Sequence, residues 1–393
     1  MHRALAACLV ASMALPALAQ PTATVVPFRA YAVSADGRVV VGQDGQNRAV
    51  YWTAAEGVVP VGTPYNYSNS RAVGVSGDGT VIVGNSGPSY YSGWVWTAAS
   101  GFTLLTMPNA SRTTATCISR DGSVVGGVCV VPPDVWYQAM AWTHAEGGRQ
   151  MPGGNNMGTW LYALSADGTQ GVGSGSSGIG TWAQHWPSTY TWCVSLGTVP
   201  GENHSYGFAA TPDVTTIVGQ TSNTQTGKAM IWRSGQGIEL LSSILGRPEA
   251  SLRCVNDAGT LAGGFIGQGS AVAEIGLIWR AGTGLVSAES FFAFHGLTVP
   301  SLQYVVGISA DGKVIVSRTS SGSSVIVHLT PCGTADFDND GDAGTDQDIE
   351  AFFSCLAGAC CPACHGSDFN ADGDVGTDAD IESFFRVLAG GAC

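Results

Sequence analysis

Two aspartate-rich segments near the end of the chain carry the residues best suited to chemistry. The first is Asp336-Phe337-Asp338-Asn339-Asp340-Gly341-Asp342, and the second begins 32 residues later as Asp368-Phe369-Asn370-Ala371-Asp372-Gly373-Asp374. Oxygens at loop positions 1, 3 and 5, glycine at position 6 and a carbonyl at position 7 form the first half of an EF-hand-type loop. The spacing predicts two calcium ions, with ligands among Asp336, Asp338, Asp340, Asp342, Asp368, Asn370, Asp372 and Asp374.

The spacing leaves open which residue closes each loop. Position 12, which carries a carboxylate in EF-hand loops, is Gln347 in the first copy and Ala379 in the second. Acids stand one position before and one position after it, as the pairs Asp346/Asp378 and Asp348/Asp380. Either the earlier pair reaches the cation, or each loop has one extra residue and the later pair closes it. We favour Asp348 and Asp380 because they open a helix.

A helix is predicted after each loop. Thr345 and Thr377 stand at N-cap positions with an aspartate three residues on, which is a capping-box arrangement. Apolar residues then recur at helical spacing and are expected on the buried faces of the helices, namely Ile349, Phe352, Phe353, Leu356 and Ile381, Phe384, Phe385, Leu388. A calcium loop followed by one helix, twice over, resembles a dockerin domain, and more narrowly the Gly/Cys-rich dockerin variant of exported planctomycete proteins. The resemblance covers residues 332–393 and implies a protein partner, cohesin-like or another envelope protein.

The cysteines include one motif with two interpretations. Cys361-Pro362-Ala363-Cys364-His365 matches the C-x-x-C-H haem attachment signature. However, Cys332, Cys361, Cys364 and Cys393 repeat with the duplicated module, which favours disulfides. A symmetric solution pairs Cys332 with Cys361, Cys364 with Cys393 and Cys355 with Cys360, although six cysteines allow fifteen connectivities. Upstream, Cys117–Cys129 and Cys193–Cys254 are the expected pairs.

The rest of the chain shows no recognisable catalytic set. It has no H-E-x-x-H, G-x-S-x-G or phosphate-loop motif, and its unrepeated acids show no pairing of the kind a glycosidase needs. Aromatic residues outside the repeat pattern favour binding of a glycan or a protein. They are Tyr65, Tyr67, Tyr90, Tyr91, Trp94, Trp136, Tyr137, Trp160, Trp182 and Trp192. We therefore expect a non-catalytic binding scaffold, with a polysaccharide-active enzyme as the alternative.

These residues sit in a chain of seven repeats, each about 45 residues long. Each copy has an apolar run, a Ser-x-Asp-Gly turn, a β-branched run ending in glycine, a Trp-centred strand and a short last strand, as in Ser34-Ala35-Asp36-Gly37 with Trp52. Four strands per copy is the period of a propeller blade. The sequence predicts an all-β seven-bladed β-propeller over residues 20–331, with the repeated tryptophans packed between blades. Copy seven lacks a fourth strand, which Thr24-Val25-Val26 can supply by closing the ring; an open ring is the alternative.

Residues 29–330 resemble the bacterial HAF-repeat proteins, a family of extracellular proteins built from such units. The resemblance implies a fold and a location, and no established activity. Export is also indicated by residues 1–19, where His2 and Arg3 precede an apolar stretch and an Ala17-Leu18-Ala19 cleavage site. No later segment is apolar enough to predict a membrane helix. After residue 331 a single arginine faces 13 of the 29 acidic residues, so a nucleic-acid partner is not expected.

Overall fold

The computed structural model describes residues 21–64, 67–153, 158–177, 180–223, 227–242, 244–247, 249–267, 274–329, 333–361, 364, 366–369 and 375–389. The chain divides into two compact units, which we call the body (Pro21–Leu329) and the tail (Thr330–Cys393, grouped with Met1–Gln20). The predicted signal segment, residues 1–19, lies outside the described residues. None of the described helices is long and apolar enough to span a membrane.

The described part of the body is built from strands, one short α-helix and a 3-10 turn at Pro88–Tyr90. The strands of the first half are β1 Thr22–Val26, β2 Phe28–Val33, β3 Val40–Asp44, β4 Ala49–Thr53, β5 Gly57–Gly62, β6 Ser70–Val75, β7 Val81–Ser86, β8 Ser92–Thr97, β9 Gly101–Leu104, β10 Arg112–Ile118, β11 Val124–Val130, β12 Gln138–Thr143, β13 Gly147–Gln150 and β14 Thr159–Leu164. Those of the second half are β15 Gly171–Ser177, β16 Gly180–Trp186, β17 Val194–Gly197, β18 His204–Ala210, β19 Thr216–Ser222, β20 Gly227–Arg233, β21 Gly237–Leu240, β22 Ala250–Val255, β23 Leu261–Ile266, β24 Ile275–Arg280, β25 Gly284–Ser287, β26 Leu302–Ile308, β27 Val314–Thr319 and β28 Ser324–His328, with helix α1 Ala288–Phe294 after β25.

Consecutive strands pair in antiparallel order, four to a repeat. The first sheet has the order β2-β3-β4-β5, and three others follow the same rule; the second and third copies join into one eight-stranded sheet through the single pair Thr113–Ser92. The last sheet is β1-β28-β27-β26, so the strand predicted around Val25 pairs with β28. Four-stranded meanders in chain order are the building blocks of a β-propeller.

Each Ser-x-Asp-Gly turn is held by its own side chains. In the first copy the Ser34 hydroxyl donates to Asp36, and the backbone N–H of Val39 donates to Ser34 Oγ at 3.0 Å. Gly37 has φ +74°, and a Cβ there would lie 2.5 Å from Val314 of the last copy. Glycine is therefore required twice, for its left-handed backbone and for the close approach of the neighbouring sheet.

The sheets pack face to face in sequence order. Each large apolar cluster of the body joins two successive copies, and one joins the last copy to the first through Phe28, Val50, Val316 and Ile326. The repeated tryptophans lie in these clusters, as predicted: Trp52, Trp96, Trp142, Trp186, Trp232 and Trp279. Burying a large aromatic side chain stabilises such an interface by about 1.5–3 kcal/mol.

The tail contains two helices, α2 Asp346–Leu356 and α3 Asp378–Leu388. Its core consists mainly of phenylalanines: Phe337, Phe352, Phe369 and Phe384 are all at most 1% exposed, and Phe352 stacks on Phe384 with ring centroids 4.1 Å apart. The predicted helices are present, but Phe353 and Phe385 are 44% and 45% exposed, so their expected burial was wrong. Adjacent residues of a helix are about 100° apart, so with Phe352 and Phe384 in the core, Phe353 and Phe385 lie to one side of it.

Candidate functional site

The first aspartate-rich loop brings three carboxylates together. Ligand oxygens of Asp336, Asp338 and Asp340 all lie within 4.8 Å of one another. The backbone makes this possible, because Asn339 and Gly341 take positive φ values of 61° and 100°, and the N–H of Asp340 donates to Asp336 at 3.0 Å. Three of the predicted ligands therefore share one point, as a calcium loop requires.

The charges of this loop repel one another in the bare protein. The pKa of Asp338 is raised by desolvation and by the negative charges of Asp340, Asp348 and Asp336. Hard oxygen ligands with excess negative charge are the donor set that Ca²⁺ prefers. The residues present thus fit a divalent cation.

Asp348 holds the loop onto the helix. It is fully buried, and its carboxylate accepts N–H bonds from Phe337 at 2.6 Å and from Thr345 at 2.8 Å. Burial alone raises the pKa of Asp348, but these hydrogen bonds and the hydroxyl of Thr345 outweigh it and lower the pKa. Asp342 and Asp348 stand outside the three-carboxylate group, and Asp346 is exposed in the first turn of α2.

The second loop is only partly described. Asp380 is buried and accepts from the N–H of Thr377 at 2.8 Å and from its hydroxyl, which repeats the arrangement of Asp348. The predicted ligands Asn370, Asp372 and Asp374 lie outside the described residues, so the second site stays a prediction.

The cysteine pairing differs from the symmetric solution. Cys355 bonds to Cys360 as expected, but Cys361 bonds to Cys364, not to Cys332. The Cα atoms of Cys361 and Cys364 are 5.1 Å apart, which is within disulfide reach. Cys332 and Cys393 lie outside the described residues.

The two disulfides predicted in the body were wrong. Cys117 packs between the strands of the third and fourth copies, and Cys129 packs between those of the second and third. The two thiols therefore occupy opposite faces of one hairpin. Cys254 lies between the sixth and seventh copies, whereas Cys193 packs against the cluster between the third and fourth, so the two cannot meet. Burial raises the pKa of Cys117, Cys129 and Cys254 to about 12, which keeps these thiols protonated.

The aromatic residues predicted for binding have unequal positions. Trp94 is fully buried, with its indole N–H bonded to Ser86 Oγ at 2.9 Å, so it belongs to the core. Trp136 and Trp192 are 49% and 68% exposed. Half-buried members are Tyr67, Tyr91, Tyr137, Trp160 and Trp182; the side chains of Tyr65 and Tyr90 are not described.

Three of the unrepeated acids have structural partners. Glu202 is buried and pairs with Lys228 at 2.7 Å, Glu239 pairs with Arg233 at 2.7 Å, and Glu289 accepts the N–H of Leu302 at 2.8 Å. These contacts anchor the loops and strands on which the acids lie.

A feature that sequence reasoning missed is a β-bulge at the same place in the first strand of every copy. The first strand of each sheet contacts the first strands of its neighbours, and β26 contacts β2, so we call these seven the inner strands. Each has a register shift here that leaves one residue unpaired, and β26 has a second shift between Leu302 and Tyr304. The bulge residues are Tyr31, Val73, Thr116, Tyr162, Phe208, Arg253 and Val306. A bulge re-aims a side chain, and all seven are half-buried.

The bulge residues of the later copies touch one another. Tyr162 meets Phe208 edge to face at 5.3 Å, and the guanidinium of Arg253 lies 3.6 Å from the centre of the Phe208 ring. Arg318 lies 4.3 Å above Tyr31, while Phe265 stacks on Tyr304 at 4.4 Å. The bulge residues follow fully or partly buried residues of the same strands. The sequence pattern therefore predicted that they lie in strands, but not that their side chains meet.

Comparisons with known proteins bear on the fold. The chain matches no protein-family model and no curated protein. Among solved structures it is similar to the β-propeller domain of Cps50 (Swd1) from Myceliophteria thermophila, at 11% identity and a TM-score of 0.50, covering 78% of this chain and 99% of that one. It is also similar to TolB proteins from Agrobacterium tumefaciens (16% identity, TM-score 0.46, covering 64% and 88%) and Acinetobacter baumannii (10%, 0.45, covering 75% and 64%). The meander sheets and the Cps50 likeness together identify the body as a β-propeller.

Proposed function

We propose that this protein is an exported binding scaffold: a closed seven-bladed propeller that holds a ligand without transforming it, fixed to an envelope partner by a two-calcium tail. The observation that carries the scaffold is the junction of the last copy with the first. There β1 pairs with β28, and the N–H of Ala310 donates to the carbonyl of Ala35 at 2.8 Å. Such a junction removes two free sheet edges, which suits a protein that works outside the cell.

The tail supplies the attachment in this proposal. Its first loop and its two capped helices support the resemblance to a dockerin, and the carboxylates of Asp336, Asp338 and Asp340 would hold the first ion. The body supports the resemblance to HAF-repeat proteins through its repeated turn and tryptophan. When bound, calcium supplies charge that offsets the repulsion of the loop, and Asp348 keeps the loop joined to α2.

Calcium titration of the full chain tests the metal half of the proposal. Calorimetry should give two sites per chain for the wild type and one for Asp336→Asn/Asp338→Asn. Glu350→Gln, which removes an exposed charge on α2 outside the loop, is the matched control and should keep both. A wild-type chain that takes up no calcium at millimolar concentration overturns the metal sites.

Fractionation of cells tests the attachment. The full chain should remain with the envelope in calcium and be released by a chelator, and Asp336→Asn/Asp338→Asn should be released in both conditions. Retention of the double variant equal to that of wild type and of Glu350→Gln overturns the attachment role and leaves calcium as a structural ion.

A further inference from the structure

The inner strands carry more positively charged side chains than there are carboxylates near them. Arg29, Arg253 and Arg318 lie on or beside them, and the electrostatic partners of Arg253 and Arg318 include one carboxylate, that of Glu274. The chain before position 332 is close to neutral, with 15 basic and 16 acidic residues. Three arginines near one carboxylate are therefore a local excess.

Arg253 has unused hydrogen-bonding capacity. Its guanidinium rests on Phe208 and lies 5.5 Å from Phe265, and its Nε is buried without a hydrogen-bond partner. Within the described part of the chain no carboxylate forms an ion pair with it. Burial lowers the pKa of Arg253, because removal from water disfavours the charged form of its guanidinium. A planar oxyanion would satisfy a guanidinium in this position.

Arg318 provides a second guanidinium beside the same aromatic residues. Its Nε donates to the carbonyl of Ala30 at 2.6 Å, and it lies over Tyr31 and 5.5 Å from Tyr304. The interactions that perturb Arg253 and Arg318 both involve Tyr304 and Glu274, so the two cations share one region.

One end of this region is closed by the turns. The N–H of Gly77 donates to Arg120, that of Ala166 to Pro212, and that of Ala310 to Ala35, linking turns of successive copies. Arg120 of the third copy also forms a two-bond ion pair with Asp257 of the sixth copy, which spans the turn end. The inner strands begin at the opposite end, where Arg29 is exposed, so a ligand enters there.

The walls of the region favour a sugar ring over a folded partner. Tyr206, Phe208 and Tyr304 are half-buried rings of the kind that pack on a pyranose ring, and the buried Phe265 supports Tyr304 by stacking on it at 4.4 Å. Thr114 and Ser251, which occupy the register position of Arg29 and Arg71 in their own strands, add hydroxyl groups. Because the inner strands contact one another around this region, a chain end or a single ring fits it better than a folded protein surface.

We propose that the arginines and aromatic rings of the inner strands bind the carboxylate of an acidic sugar, a hexuronate carried by a polysaccharide, with Arg253 and Arg318 as its cationic partners. This inference rests on the proposal that the body is a binding module, and it names the ligand class and the site. The carboxylate approaches the guanidinium edges, and the sugar ring lies against the aromatic faces.

Calorimetry with the full chain tests the inference. Trigalacturonate should bind at least tenfold more tightly than the neutral trigalactose and than acetate. Arg253→Gln and Arg318→Gln should each weaken trigalacturonate binding at least tenfold, and Arg253→Lys should fall between Arg253→Gln and wild type. The matched control Arg38→Gln changes a turn arginine whose side chain is 85% exposed and should bind like wild type.

A wild-type measurement covers the case in which a variant fails to fold. Trigalacturonate should slow hydrogen exchange in residues 250–255 and 302–308 and leave residues 346–356 unchanged. Equal binding of the acidic and neutral sugars, a glutamate-rich peptide that binds in place of trigalacturonate, or unchanged exchange in those strands overturns the inference. Envelope retention is measured in parallel on the wild-type chain. Wild-type protein that stays with the envelope in calcium but does not bind trigalacturonate rejects this site alone, whereas wild-type protein that binds trigalacturonate but is not retained rejects the attachment alone.

Discussion

The body and the tail use aspartate in opposite ways. In the body the carboxylate of Asp167 accepts the Ser165 hydroxyl at 2.7 Å and the Thr169 N–H at 3.0 Å, and these bonds lower its pKa to about 2. In the tail the carboxylates of Asp336, Asp338 and Asp340 face one another, and the pKa of Asp338 is raised. An aspartate whose charge is satisfied by local hydrogen bonds stabilises a turn, whereas one surrounded by like charges needs a cation.

The two regions also bury apolar surface on different scales. The body spreads its core over several interfaces between successive copies, while the described part of the tail depends on four phenylalanines and two disulfides. Small domains bury a smaller fraction of their surface and rely on such cross-links. Single changes should therefore act on one region at a time.

The largest effect should come from the core of the tail. Replacing Phe352, which is fully buried, by alanine should destabilise the tail by about 3–5 kcal/mol, because the cavity cannot refill. Calorimetric melting of the full chain in calcium should show loss of the tail transition and no change in the body transition. Phe353→Ala, at the neighbouring exposed position, should leave both in place; equal effects would mean that the core is assigned wrongly.

A turn glycine tests the body in the same manner. Gly168 has φ +69°, and a Cβ there would lie 2.4 Å from Val124, so Gly168→Ala should destabilise the body by about 3 kcal/mol from backbone strain and overpacking together. Gly57 has the same φ with no atom within 4 Å, so Gly57→Ala should cost only about 1 kcal/mol. Denaturant unfolding of both variants measures the difference, and equal costs would rule out the contact between copies.

Removal of calcium should separate the two regions further. At a free calcium concentration a hundredfold above Kd, each proposed site stabilises the tail by about 2.7 kcal/mol. Excess chelator should therefore lower the melting temperature of the tail and leave that of the body unchanged. A shift of both transitions, or of neither, would contradict the contrast between the two kinds of aspartate.

The smallest effect concerns the turn carboxylate. The pKa of Asp167 in the folded protein is about 2, below the ordinary value of 3.8, so its contribution is present above pH 3.8 and is lost as the pH falls through about 2. Because this side chain is exposed, we expect only about 0.5 kcal/mol after solvent screening. Denaturant unfolding at pH 5 should show Asp167→Asn less stable than wild type by that amount, with the gap closing near pH 2. Asp134→Asn, in an exposed loop, should show no such gap at either pH.

Much of the architecture follows from local chemistry. Ser34, Asp36 and Gly37 specify a turn within a few residues, and the same triplet recurring along the chain predicts repeated hairpins. The strand around Val25 and the helices after Thr345 and Thr377 are likewise present. The errors arose where burial depends on neighbours that are distant in sequence: Phe353 and Phe385 have helical spacing but lie outside the core, and Trp94 is a core residue placed among loop aromatics.

The sequence by itself determined the repeat, the turns that divide it and the clustering of carboxylates, because each depends on residues within one short segment. Only the tertiary structure decided which side chains meet across the sheets. Cys117 and Cys129 lie on opposite faces of one hairpin, because a one-residue bulge between Ala115 and Cys117 shifts the alternation of the strand. Arg120 and Asp257 meet although 137 residues separate them, and Arg253 reaches the ring of Phe208 on the preceding sheet. Such contacts depend on how the inner strands are brought together, which no local pattern encodes.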